Sequence, residues 1–278
     1  MKRDPFLIEG PTCLSFSGGR TSAFMLHRAL EANDGLPDEA VVCFANTGKE
    51  EEATLRFVQD CSEKWAVPIT WVEYRAPASY AVVDFETASR EGEPFEALMR
   101  HRGLIPNPMS RFCTQELKIR SMARLLKDRG MVETVGAGEF FSWVGIRADE
   151  PRRAAKIDRS RTPLVTAGIG AQDVGAFWKA QPFDLGLPNM NGKTMHGNCD
   201  LCFLKPAAQV AALIAEKPSR AVWWARMERE IPTLGRTTAQ GSVFRMDRAS
   251  YAAMATTAED QGDMFDPDEE AIACFCGD

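Results

Sequence analysis

The chain has 278 residues, of which 45% are hydrophobic and 26% charged, with a formal net charge of −6. That is enough apolar material for one large or two modest folded units, and it excludes an intrinsically disordered chain. No apolar run approaches the roughly 20 residues that a membrane span requires, and no long apolar stretch follows Met1-Lys2-Arg3-Asp4-Pro5, so the expectation is a cytoplasmic protein with no membrane partner.

Taken in chain order, Thr12 to Phe16 is short, apolar and bounded by Pro11 and Ser17, as a buried strand is. Residues 20–33 carry Phe24, Leu26, His27 and Leu30 at helical spacing. A second buried strand is expected over residues 40–45. A helix over residues 50–65 places Leu55, Val58, Cys61 and Trp65 on one face, and a third strand follows over residues 69–74. This alternation with short connections predicts a parallel sheet with helices on its faces. Residues 76–110 hold Pro77, Pro94, Pro106 and Pro108, and read as a loop-rich insertion with one helix near residues 94–102. Helix is expected again over residues 114–129, strand over 141–145, and helix over 171–180 and most of 205–230. Residues 259–278 hold eight acids and no Lys or Arg, and read as an acidic tail ending in Cys274-Phe275-Cys276-Gly277-Asp278.

The tail disguises the charge of the remainder. Setting its eight acids aside turns the formal −6 into +2. Basic residues gather in two stretches, from Arg100 to Arg129 and from Arg147 to Arg161. They suit an anionic ligand, a nucleotide or a nucleic acid, or else form solvated helix faces.

The sharpest local pattern is Ser15-Phe16-Ser17-Gly18-Gly19-Arg20-Thr21-Ser22, between a strand and a helix. Two glycines allow a tight turn and close approach of backbone to a ligand. The helix start presents free N–H groups to an anion. Ser17, Thr21 and Ser22 add hydroxyls, and Arg20 adds positive charge. The pattern is neither Gly-x-x-x-x-Gly-Lys nor Gly-x-Gly-x-x-Gly. On its residues alone it is a phosphate cradle or a plain strand-to-helix turn.

Gly197-Asn198-Cys199-Asp200-Leu201-Cys202 contains a Cys-x-x-Cys, whose spacing lets two thiolates reach one metal ion or cluster. A second such pair is missing, so further ligands would come from elsewhere. His196 adjoins the pair and is a further possible ligand. Soft thiolates suit an iron–sulfur cluster or zinc; a 4Fe–4S cluster is the expectation, with zinc or free thiols as the alternatives. Cys13, Cys43 and Cys61 lie on predicted apolar faces and read as buried structural thiols. His27 reads as structural, and Trp223-Trp224 as core.

Ser-Gly-Gly-x-x-Ser after a first strand resembles the PP-loop of the ATP pyrophosphatases and phosphoadenosine phosphosulfate (PAPS) reductases. Three further stretches agree in order. Asn46-Thr47-Gly48-Lys49-Glu50 resembles the family's Asp/Asn-Thr-Gly segment, Arg111-Phe112-Cys113-Thr114 with Leu117-Lys118 its Arg-x-Cys-Thr-x-x-Leu-Lys stretch, and Gly145-Ile146-Arg147-Ala148-Asp149-Glu150 its Gly-x-Arg-x-x-Glu segment. The resemblance spans residues 15–153. It implies an α/β fold of adenine nucleotide alpha-hydrolase type, a Rossmann-like parallel sheet with helices on both faces, plus a Cys-bearing helical C-terminal region. The expected division is residues 1–180, 181–258 and the tail 259–278. It also implies ATP or PAPS as ligand, bound by Ser15, Ser17, Gly18, Gly19, Arg20, Thr21, Ser22, Asn46, Thr47, Gly48 and Lys118, with Arg147 as a catalytic phosphate or sulfate clamp.

Family reductases with a 4Fe–4S cluster have cysteines at the stretch around Cys113 and a later Cys-x-x-Cys, which makes Cys113, Cys199 and Cys202 candidate ligands. This chain lacks the adjacent cysteine pair usual at the first stretch, so the fourth ligand would be Cys276 or Cys274. Sulfonucleotide reductases also attack sulfur with a cysteine near the C-terminus, a second role open to Cys276, although the ending here departs from their Glu-Cys-Gly-Leu-His. Three activities are compatible. The first is a PAPS-reductase-like enzyme served by a thiol or protein electron donor. The second is an ATP-dependent sulfur transferase acting on a nucleic acid or small molecule. The third is a non-catalytic nucleotide or redox sensor. Retention of both Gly18 and Gly19 favours the second, and Thr21, where ATP-cleaving members often have Asp, opposes it.

Overall fold

A strand buried on both faces reads as a continuous apolar run, and Ala40–Asn46 is buried at every position. In the computed structural model, which describes residues 3–132, 142–190, 193–235 and 241–260, this strand is β2 and lies at the centre of the sheet. It pairs in parallel with β1 (Thr12–Phe16) on one side and β3 (Ile69–Arg75) on the other. A short β4 (Ser79–Val83) adds an antiparallel edge to β3, and β5 (Ser142–Val144) pairs in parallel with the other side of β1. The strand order is therefore β4-β3-β2-β1-β5.

Side chains alternate across these strands, so each face acquires its own core. Leu14, Phe16, Val42 and Phe44 point to one face. There α1 (Arg20–Ala32) and α2 (Glu52–Lys64) contribute Phe24, Leu26, Leu55 and Val58. Cys13, Val41, Cys43 and Ala45 point to the other, against Met122, Leu125 and Leu126. A third apolar cluster reaches the sheet through Tyr74 of β3. It joins α3 (Glu93–Arg102), residues 201–204 and the later helices around Trp224, Phe203, Phe244 and Tyr251.

The expected alternation of strands and helices stands, and several details differ. The insertion at residues 76–110 contains β4, a short edge strand with three of five residues only half-buried, too weak in pattern to declare itself. The helix expected over residues 114–129 begins as a π-helix (Thr114–Arg120) before continuing as α4 (Ser121–Asp128). Short α5 (Pro151–Ala154), α6 (Pro163–Ala167) and the well-formed α7 (Ala171–Ala180) follow β5. A small hairpin, β6 (Asn189–Met190) with β7 (Lys193–Thr194), precedes the Cys-x-x-Cys. The helical stretch expected over most of residues 205–230 is divided into α8 (Ala207–Glu216) and α9 (Ser219–Glu230). Pro218 breaks them, because proline forces its predecessor Lys217 out of the helical region. A last helix, α10 (Tyr251–Asp260), packs on α8 and α9. Phe141 and residues 261–278, including Cys274 and Cys276, lie outside the described residues.

Candidate functional site

The chain runs β1, β2, β3 in one direction across the sheet and then returns to lay β5 on the far side of β1. The β1–β5 seam is thus a topological switch point, where the carboxyl ends of neighbouring strands diverge and leave a crevice. A cleft of about 910 Å³ opens there, with Ser15, Ser17, Val144 and Gly145 among its lining residues.

The loop from β1 to α1 is built for close approach. Gly18 has φ +78°, a left-handed conformation that favours glycine, and a Cβ on it would lie 2.5 Å from Thr54 Cγ2. Ser22 closes the loop: its Oγ accepts from the Ser17 amide at 3.1 Å, donates to the Gly19 carbonyl at 3.0 Å and lies 2.9 Å from Ser17 Oγ. Gly19 is the N-cap of α1 and supplies no side chain, so the first turn of the helix has no side-chain cap. Gly145 seals the seam, since a Cβ there would meet Ser22 Cα at 2.9 Å. That glycine belongs to the Gly-x-Arg stretch, but its packing role is visible only in three dimensions.

Arg20 turns away from the loop. Its Nε donates to Asp184 Oδ1 at 2.6 Å and its Nη2 to the Leu187 carbonyl at 2.9 Å, so its charge is spent fastening residues 184–187 to α1. Arg147 is buried, donates to Thr21 Oγ1 at 3.2 Å and to Asp149 Oδ1 at 3.0 Å, and is not among the residues that line the cleft. The cleft takes its positive charge from Arg102, Arg111, Lys118, Arg120, Lys156 and Arg161, against the single carboxylate of Glu116. Burial opposes the charge on Glu116. Hydrogen bonding from Arg102 and the charge of Arg120 nevertheless hold its pKa below the ordinary value.

Lys118, Glu116 and Arg120 ride on the π-helix, whose wider turn changes which side chains face the cleft. Ser121 Oγ donates to the Glu116 carbonyl at 2.9 Å, five residues back.

At the end of β2, Asn46 donates to Glu73 Oε1 at 2.6 Å and accepts from the Gly48 amide at 3.1 Å, which fixes the turn. Thr47 is fully buried. Its hydroxyl donates to Glu50 at 2.8 Å and lies 3.5 Å from the sulfur of Cys199. The Thr-Gly segment and the Cys-x-x-Cys are therefore neighbours, although 152 residues separate them in sequence. Cys113, immediately before the π-helix, packs against the same third apolar cluster as Cys199 and Cys202.

The six described thiols fall into two sets. Cys13, Cys43 and Cys61 are enclosed in the cores flanking the sheet. Burial pushes Cys13 up to about 12 and raises the other two as well. Cys113, Cys199 and Cys202 retain partial exposure. Enclosure of its thiol, with Glu50 nearby, raises Cys199, and the charge of Lys118 works against that rise. Soft thiolates are the right donors for an iron–sulfur cluster. Yet among the described residues no three His, Cys, Asp or Glu side chains are grouped to hold a metal ion. The described donors therefore do not assemble a metal centre by themselves, and Cys276 lies outside the described residues. His196 Nε2 lies 2.7 Å from Glu216 Oε2, so that nitrogen is engaged in a structural contact. No described helix is long and apolar enough to cross a membrane.

Residues 11–162 match the family model of the phosphoadenosine phosphosulfate reductase domain, a span that contains the β1–α1 loop, the Thr-Gly segment, the π-helix and β5. A curated relative from Escherichia phage lambda, named as an uncharacterized nin region protein ORF290, is 32% identical over 206 residues. The match covers 71% of this chain and 67% of that protein.

Proposed function

This chain belongs to the phosphoadenosine phosphosulfate reductase family, and we propose that it is an enzyme that binds an adenine nucleotide in the β1–β5 cleft and performs sulfur chemistry beside it. The single observation that carries the reading is the juxtaposition of an uncapped helix start and a basic cleft with a thiol, Cys199, at the neighbouring Thr-Gly turn. Amides at the α1 start and the cations of the cleft suit phosphate or sulfate oxygens. In this reading Ser15 and Ser17 border the ligand, Gly19 leaves the helix start bare, and Gly18, Thr21 and Ser22 shape and brace the loop. Arg147 acts through Thr21, and Lys118 supplies charge between cleft and thiol.

With PAPS as substrate, a thiolate, for which Cys276 is the candidate, attacks the sulfate sulfur. An S–S bond forms, the O–S bond to the nucleotide breaks, and adenosine bisphosphate leaves with the electron pair. A second thiol then displaces sulfite and leaves a disulfide, which an external thiol donor reduces with two electrons. The alternative, ATP-dependent sulfur transfer, is favoured by one feature. Both glycines of the loop are retained, Gly18 in the left-handed turn and Gly19 at the N-cap of α1.

An iron–sulfur cluster would draw on Cys113, Cys199, Cys202 and Cys276. No step above depends on it, and iron and sulfide counts on anaerobically purified protein test it separately. Titration calorimetry with PAPS and with ATP tests the site. Sulfite release from PAPS supports reduction, and pyrophosphate release from ATP supports transfer. Failure of both nucleotides to bind overturns the proposal.

A further inference from the structure

One of the two residues inside the Cys-x-x-Cys is an aspartate, and an acid between two thiols needs a reason. Asp200 is buried. Its Oδ2 lies 3.1 Å from Lys49 Nζ, and its Oδ1 accepts from the Leu201 amide and from Trp224 Nε1, both at 2.8 Å. Its own amide donates to the Lys49 carbonyl at 2.7 Å. Two residues 151 positions apart in sequence are therefore joined twice, by backbone and by side chain.

The surroundings reinforce the joint. Lys49 and Lys205 are as buried as Asp200. Lys205 Nζ donates to the carbonyls of Cys199 and Asp200, both at 2.8 Å, which fixes the backbone that carries the thiol. Lys49 Nζ lies 5.2 Å from the centre of the Trp223 ring. Gly92, with φ +84°, leaves the room that Trp223 and Lys49 fill, since a Cβ there would meet Trp223 at 2.6 Å and Lys49 Cδ at 2.9 Å. Lys49 is the residue after Gly48, in the segment that lies against Cys199 through Thr47.

A buried ion pair carries a desolvation cost, and apolar residues of similar volume often serve stability as well. What apolar residues do not supply is a fixed geometry. We infer that Lys49 and Asp200 are positioning residues that clamp the Cys199 loop to the Asn46-Thr47-Gly48 turn, so that the turn and the thiol move as one body. This inference deepens the proposed function: a nucleotide held beside the turn then also orders the Cys199 loop.

Hydrogen exchange measured by mass spectrometry on the full chain tests this in two arms. The variants are Lys49→Arg, Asp200→Asn and the double Lys49→Met/Asp200→Asn. The double variant removes both charges together and keeps an acceptor for Leu201 and Trp224. In the first arm, without nucleotide, it exchanges residues 198–204 at least ten-fold faster than the parent, and Lys49→Arg restores most of the protection. Should residues 198–204 exchange at the parent rate while the fold is retained, the clamp is refuted. In the second arm ATP or PAPS is added. In the parent, protection rises both at residues 15–22 and at residues 198–204. In the double variant and in Asp200→Asn it rises at residues 15–22 only. Equal transfer of protection in parent and variants overturns the coupling. If neither nucleotide protects residues 15–22 of the parent, the nucleotide reading and the coupling that rests on it fall together, and the first arm still decides the clamp.

Discussion

Gly18→Ala is the most direct probe of the β1–α1 loop, because two separable penalties converge on one methyl group. The backbone stands at φ +78°, where an L-residue with a Cβ loses about 1–2 kcal/mol. The added Cβ would also sit 2.5 Å from Thr54 Cγ2 and 3.3 Å from both Phe44 Cε2 and Val58 Cγ2. Overpacking of that kind costs about 1–3 kcal/mol. Together the expectation is a loss of about 2–5 kcal/mol, a large part of the total stability of an ordinary domain. Urea unfolding reads it as a lower midpoint with unchanged slope. Thr54→Ser removes the worst clash and leaves the 3.3 Å contacts, so Gly18→Ala in that background should cost mainly the backbone part, about 1–2 kcal/mol. Gly19→Ala is the control: its φ of −99° is open to any residue, so its effect should fall on nucleotide affinity far more than on stability. A Gly18→Ala chain within about 0.5 kcal/mol of the parent, the range of ordinary surface substitutions, would refute the steric account of this loop.

Three further outcomes are expected. Lys49→Met alone strands the buried carboxylate of Asp200 and should destabilise by about 3–5 kcal/mol in chemical denaturation, with Lys49→Met/Asp200→Asn recovering most of that loss. Arg147→Lys gives up the fork that reaches both Thr21 and Asp149, and calorimetry should show nucleotide affinity reduced about 10- to 100-fold, or about 1.4–2.7 kcal/mol. Burial raises the thiol of Cys13 from 9.0 to about 12, and Cys43 and Cys61 are raised too, so the folded state holds these protons that the unfolded chain releases. Their contribution is therefore complete below pH 9 and is lost as pH climbs toward 12, with a slope approaching about 1.4 kcal/mol per pH unit for each thiol. Stability that stays level from pH 9 to pH 11 would contradict that sign.

The elements legible in the sequence were those whose burial pattern is strong and local. β1, β2 and β3 are runs of apolar residues between turn residues, and α1 and α2 carry one apolar face, so they stand close to their expected bounds. What escaped depends on partners distant in sequence. β4 is a strand only because β3 offers it an edge. The π-helix has an ordinary helical composition, and nothing local distinguishes Thr114–Arg120 from an α-helix. Lys49 was visible beside the Thr-Gly motif, but its meaning required Asp200, which lies 151 positions later and was read merely as the spacer between two cysteines. Arg20 depends on a distant partner in the same way. Its place in the loop motif suggested ligand contact, and Asp184, a residue without any motif, claims its guanidinium.

The basic stretches make the same point about charge. Read along the chain, they were either solvated faces or an anion site, and in space they divide between the two. From one stretch, Arg102, Arg111, Lys118 and Arg120 line the cleft, while Arg100 pairs with Glu96 and Glu230 on the exposed side of α3. From the other, Lys156 and Arg161 reach the cleft and Arg153 is held by Glu150. Neither stretch alone surrounds a ligand. β5 and the segment after it bring the second to the seam that the first already borders, so the return of the chain to β1 creates the charge of the site as well as its crevice. A charge cluster in sequence therefore marks a binding site only when the topology closes a second one against it.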